Sequence, residues 1–199
     1  HWAGEAEGLL SADPRSGPLD QALSNPWIGG SGLSQKMIPV GMAEVKIARE
    51  GEMLSALGLG SCIGLAAYCR RTKIGGMVHI MLPAAFANQE IDKPGKFADS
   101  GIPALLDAMK AAGAGSQLVF AYAGGAQVFI GSGKAGMDIG ARNAEAVKTL
   151  LDKAPGKVKA YEVGGNEGRT LSFFPETGLV TVRSVRGGTR DLCRLADAA

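Results

Sequence analysis

The chain has 199 residues, enough to bury one substantial core in a single domain. Hydrophobic residues make up 46% and charged residues 20%, a balance typical of soluble globular proteins. A net charge of +2 gives no nucleic-acid footprint, which needs a clustered basic face, and no apolar run approaches the roughly 20 residues of a membrane-embedded helix.

Residues 1–36 are rich in Gly, Ser, Pro and Ala and lack sustained periodicity. They read as a flexible, loosely packed N-terminal extension or a vector-derived tail, with Trp27 and Ile28 as surface anchors and a partner-docking arm as the functional alternative. No basic stretch followed by an apolar core marks a signal peptide. Residues 37–199 read as one domain. Met42 to Ala48 predicts an entry strand, and Met53 to Leu59 leads into a Gly-rich turn. Cys62–Tyr68 and Ile74–Met81 are apolar runs joined by a polar turn, which predicts a strand pair. Alternation then puts Met77, His79 and Met81 on one face and Val78 and Ile80 on the other.

After a polar loop, Ile102, Leu105, Leu106 and Met109 recur at helical spacing over Ser100–Ala112, with Pro103 expected in the first turn and Gly113 as the stop. Gln117–Ala123 and Gln127–Ile130 predict strands broken at Gly124-Gly125. Asn143 is the expected cap of a second helix whose apolar positions are Ala144, Val147, Leu150 and Leu151. Val158–Val163, Thr170–Phe174 and Leu179–Val185 predict strands, the last two forming a hairpin over Pro175–Gly178. Arg186–Ala199 reads as a polar tail. Strands outnumber helices and no repeating strand–helix–strand pattern appears, so the fold class is α+β, with mixed, mostly antiparallel sheets packed together and flanked by helices.

The chemistry centres on Cys62, which follows the turn Gly58-Leu59-Gly60-Ser61, and on His79, seventeen residues later. A thiol beside a base can attack an acyl carbon, and a Gly-rich turn can offer N–H donors to the oxyanion; Gly60 and Ser61 are the supporting residues. Taken alone, such a Cys is more often a small buried residue and such a His a satisfied core residue. Cys69 and Cys193 read as structural. Three cysteines without CxxC spacing argue against disulfides and structural zinc and fit a reduced cytoplasmic setting, and with His1 as the only other histidine neither a metal nor a cofactor is expected. Residues 131–136 match GxGxxG formally, but Met137–Arg142 separates them from a helix, so nucleotide binding is not expected.

The turn at Cys62 and the His79 strand carry a family resemblance, together with Asp92–Asp99, Gly124-Gly125-Ala126, Ile139–Asn143 and Gly164-Gly165-Asn166, in that order. From about Val45 to Gly188 the chain resembles the CheD family of chemoreceptor glutamine deamidases. The resemblance implies sheets packed together with helices outside, similar to the deamidase domain of cytotoxic necrotizing factors. It implies a Cys62–His79 thioester mechanism that turns glutamines of chemoreceptor (methyl-accepting chemotaxis protein) cytoplasmic domains into glutamates and so tunes adaptation, with methylesterase action as a side activity. It also implies a second partner, a CheC-type phosphatase. The family pattern places Thr six residues before the Cys as a third active-site member; here that position is Ala56, with Ser55 adjacent, so a backbone carbonyl or another side chain is left to orient His79. Arg142 is a candidate substrate or partner contact, and Gly164–Asn166 can be a simple turn. The alternatives are a weakly active or inactive protein that docks receptors or the phosphatase, and an unrelated thiol hydrolase of small amides.

Overall fold

A computed structural model describes residues 35–128 and 138–197. These form ten strands and two helices. The strands are β1 (Lys36–Pro39), β2 (Val45–Ala48), β3 (Glu52–Leu59), β4 (Ile63–Cys69) and β5 (Ile74–Ile80). After the helix α1 (Ala98–Ala111) come β6 (Val119–Gly124) and the helix α2 (Ile139–Leu151). The chain continues through β7 (Lys157–Val163), β8 (Arg169–Phe174), β9 (Leu179–Ser184) and β10 (Gly188–Arg194). The strands form two five-stranded sheets, in the orders β1-β3-β8-β9-β10 and β2-β5-β4-β6-β7. Only β1–β3 and β6–β7 pair in parallel, so the architecture is the expected α+β arrangement of mixed, mostly antiparallel sheets.

Two cores explain the layering. Leu54, Ala56, Leu59, Leu171, Phe173, Val180 and Val182 of the first sheet meet Ala66, Tyr68, Met77, Ala121 and Ala123 of the second. On its other face the second sheet buries Leu65, Val78, Ile80 and Phe120 against Ile102, Leu105 and Met109 of α1 and Val147 and Leu151 of α2. The central strands β4 and β5 are covered on both faces, and every one of their residues is buried. This is why their sequences are continuous apolar runs and not alternating ones. The predicted split of faces holds where the strand runs: Met77 enters the inter-sheet core, and Val78 and Ile80 the helix-side core.

Close approach of the layers needs small residues. A Cβ on Gly75 would lie 2.4 Å from Phe173 Cε1 and 2.8 Å from Pro175 Cγ. The expected result for Gly75→Ala is therefore overpacking, a loss of about 1–3 kcal/mol in urea denaturation; an unchanged midpoint would show that Phe173 can move aside.

Several local expectations are corrected. Lys36 already belongs to β1, an edge strand that accommodates Pro39. Pro103 is the sixth residue of α1, not part of its first turn; it lies on the exposed side, where water can take up the carbonyl it leaves unpaired. The cap of α2 is Asp138, whose Oδ1 accepts from the Ala141 N–H at 2.9 Å, and Asn143 lies inside the helix. Gly140, within the stretch expected to precede the second helix, belongs to α2 and is a packing residue, since a Cβ there would come within 2.5 Å of the Gly125 carbonyl. Residues 186–199 are not simply a tail: β10 pairs with β9 and places Leu195 in the inter-sheet core. Its mostly polar, exposed edge hid it from pattern reading. Residues 127–128 are outside any strand. The rest of that predicted strand, the GxGxxG-like stretch 131–136 and residues 1–34 with their predicted anchors Trp27 and Ile28 lie outside the described residues. No helix among the described residues is long and apolar enough to cross a membrane.

Candidate active site

Strand β3 belongs to one sheet and β4 to the other, so Gly60-Ser61-Cys62 is where the chain crosses between layers. The Gly60 N–H turns back to the Gly58 carbonyl at 2.9 Å, which removes Gly60 from the candidate oxyanion donors. The next three carbonyls are all tied into the protein. Gly60 O accepts from the Ala126 N–H (2.8 Å), Ser61 O from Asn143 Nδ2 (2.8 Å) and Cys62 O from the Gly125 N–H (2.9 Å). A trans peptide points its N–H opposite to its carbonyl, so anchoring the carbonyls of Gly60 and Ser61 turns the N–H groups of Ser61 and Cys62 the other way. Neither N–H has an acceptor among the described residues.

His79 is 2% exposed in β5 and stands opposite Gly64 of β4. The neighbouring pair Met77–Ala66 faces the inter-sheet core, so His79, two residues along, faces the same layer. Cys62, two residues before Gly64 and half-buried, packs against that same core. A Cβ at Gly64 would sit 3.0 Å from Leu59 Cδ1 and 3.4 Å from the Ala56 Cβ. Thus Ala56, fully buried, borders the spot that faces His79. Ser55 points to the opposite side of its sheet, where its hydroxyl meets that of Ser172 at 3.0 Å, and cannot take the place of the family hydroxyl.

The turn after β1 holds the imidazole. The backbone of His79 bonds to Ala43 N–H (2.9 Å) and Glu44 O (3.1 Å), and Nδ1 lies 3.1 Å from the Val40 carbonyl. A carbonyl only accepts, so Nδ1 carries the proton and the neutral ring presents an unprotonated Nε2. That Nε2 is buried and has no hydrogen-bond partner among the described residues. Burial pushes the His79 pKa below 6.5, opposed by the Val40 bond and the nearby Glu44 charge. Burial pushes the Cys62 thiol above 9.0. Both groups are therefore neutral near pH 7.

Of the other candidates, Arg142 is exposed on α2. Gly164 and Gly165 adopt left-handed φ of +82° and +74° in the β7–β8 turn, and Gly165 O accepts from the Gln127 N–H at 2.8 Å. Cys69 faces the helix-side core, away from Cys62. Sequence reading missed Val40 and the internal position of Asn143. The only available signal for Asn143 was a polar residue at helical spacing with Val147 and Leu151 on the buried face of α2.

Comparison with known proteins places the chain in a family. Residues 81–184 match the family model described as CheD chemotactic sensory transduction. A protein of Desulforamulus reducens named probable chemoreceptor glutamine deamidase CheD is 43% identical over 150 residues, covering 74% of this chain and 90% of its own. Proteins of the same name from Clostridium novyi and Syntrophomonas wolfei are 41% and 42% identical, covering 79% and 78% of this chain and 99% and 98% of theirs. With the family model and relatives of this similarity spanning most of its length, the chain belongs to the CheD family.

Proposed function

We propose that this protein is an enzyme that deamidates glutamine side chains of bacterial chemoreceptors, with Cys62 as nucleophile and His79 as general base. The observation that carries the reading is the unpartnered Nε2 of a tautomer-fixed His79, facing the same layer as Cys62. The names of the relatives supply the substrate class.

Nε2 takes the thiol proton as sulfur bonds to the amide carbon, and the N–H groups of Ser61 and Cys62 receive the oxyanion. The imidazolium returns its proton to the amide nitrogen, the C–N bond breaks and ammonia leaves, with a thioester on Cys62. Water, deprotonated by the same Nε2, attacks the thioester; the C–S bond breaks and the thiol is restored as the glutamate carboxylate departs. Val40 takes the orienting role that the family pattern gives to a hydroxyl. The product adds negative charge to a receptor surface, which is how the reaction would tune adaptation. The same chemistry accommodates a glutamyl methyl ester.

The test is ammonia release together with peptide mass spectrometry of a receptor cytoplasmic fragment from the same organism. Conversion at defined glutamines supports the reading; an unchanged fragment rejects it. One observation favours a second reading. Ala56 leaves the family's hydroxyl position apolar, which suits a slow or inactive protein that docks receptors or a CheC-type phosphatase. Ala56→Thr separates the two. With the Nδ1 proton already held by Val40, kcat is expected to change by less than about threefold. A rise of about tenfold or more would show that the missing hydroxyl limits the rate.

A further inference from the structure

We propose that Asn143 is a positioning residue that holds Cys62 within reach of His79, an inference that rests on the Cys62–His79 reading. Asn143 is fully buried on α2 and uses both hydrogens of its Nδ2, one to Ser61 O at 2.8 Å and one to Met81 O at 2.9 Å. Ser61 directly precedes the thiol residue, and Met81 follows the imidazole residue by two. A single amide nitrogen thus ties the segment that carries the nucleophile to the segment that carries the base.

The place of this tie is informative. Ile63–Ile80 is the last β4–β5 pair, so Cys62 and Met81 lie just beyond the end of the ladder. No strand hydrogen bonds hold the two chains together there, and the Asn143 amide bridges them instead. Both acceptors are carbonyls, so only the NH₂ end of the amide can face them, and its orientation is settled by chemistry. The cost is visible on the other side: Asn143 Oδ1 is buried with no partner among the described residues. Stability alone does not favour an orphaned acceptor in a core; a need for two aimed donors does. The helix is itself seated against the turn. Gly140 packs on the carbonyl of Gly125, whose N–H holds Cys62 O.

The test compares wild type with Asn143→Ala, Asn143→Asp, His79→Ala and Val147→Ala. The aspartate keeps the shape and removes the donors. Val147 is equally buried one turn along the same helix and makes no bond to the turn, so its truncation reports core damage alone. Two readouts are taken: kcat and KM for glutamine deamidation, and iodoacetamide labelling of Cys62 at pH 7, counted by peptide mass spectrometry against Cys193 as internal reference. Both Asn143 variants are expected to lose about 10²-fold in kcat with KM nearly unchanged, the scale of a displacement of about 1 Å at a reacting centre. Their Cys62 labelling should fall to the His79→Ala level, while Val147→Ala stays near wild type. Wild-type labelling faster than His79→Ala but matched by both Asn143 variants overturns the clamp and spares the catalytic pair. Equal losses in Val147→Ala and the Asn143 variants also overturn it, as a structural effect. A wild-type kcat no higher than that of His79→Ala rejects the pair and the clamp together.

Discussion

Cys62→Ala is expected to abolish glutamine deamidation, and His79→Ala to reduce kcat by about 10²–10⁴-fold, the usual worth of a positioned general base. The two losses should not add in the double variant, because without the thiol there is no proton for the imidazole to take. The fold should survive the first substitution. Cys62 is half-buried at the end of the inter-sheet core, and the turn around it is fixed by carbonyls of the backbone, none of which the substitution removes. His79→Ala is the more damaging to stability, since it leaves the Val40 carbonyl without its partner in a buried place. Circular dichroism and a urea melt beside the ammonia assay separate the two effects. A Cys62→Ala protein that still released ammonia at the wild-type rate would remove the thioester mechanism altogether.

The second large effect is on pH dependence. With His79 held below 6.5 and Cys62 above 9.0, the resting pair is neutral thiol and neutral imidazole, not a thiolate–imidazolium ion pair. The rate constant kcat/KM should be flat from neutral pH to the thiol's titration and should fall about tenfold per pH unit on the acid side, with a midpoint below 6.5. Stability follows the same group. An unfolded chain binds a proton at its histidine near pH 6.5, whereas the buried ring resists it, so the unfolded state holds more protons between that value and the folded pKa. The contribution of His79 is therefore complete above about pH 6.5 and is lost as pH falls through the folded pKa. Urea midpoints at pH 7.5 and at pH 5.5 should differ in that direction, and the His79 part of the difference should disappear in His79→Ala. A rate that stays undiminished well below pH 5 and falls on the alkaline side as the imidazolium titrates, or thiol alkylation that persists undiminished at pH 5, would show that the ion pair forms before substrate arrives.

How much of this was legible in the residues differs from element to element. The central strands were read correctly because a sheet covered on both faces demands unbroken apolar runs, and β4 and β5 supply them. Helix α1 declared itself through Ile102, Leu105 and Met109, a periodicity of local geometry. The polar edge strand β10 carried no such signal, since its order comes from pairing with β9. The start of α2 was placed too late because Gly140 has a tertiary purpose: it lies inside the helix as a contact point for the Gly125 loop.

The amino-acid sequence by itself determined the fold class, the candidate Cys62–His79 pair and, through its ordered motifs, the family. These depend on residue types, on short-range periodicity and on the scarcity of histidine, all present in one dimension. Only the tertiary structure decided which nitrogen of His79 carries the proton, which backbone N–H groups beside Cys62 have no acceptor among the described residues, and that Asn143 binds the two segments together. Each of those depends on a hydrogen bond between positions far apart in the chain: Val40 to His79, Asn143 to Ser61 and Met81. Such bonds are set by how two sheets and a helix settle against one another, and no local pattern encodes them.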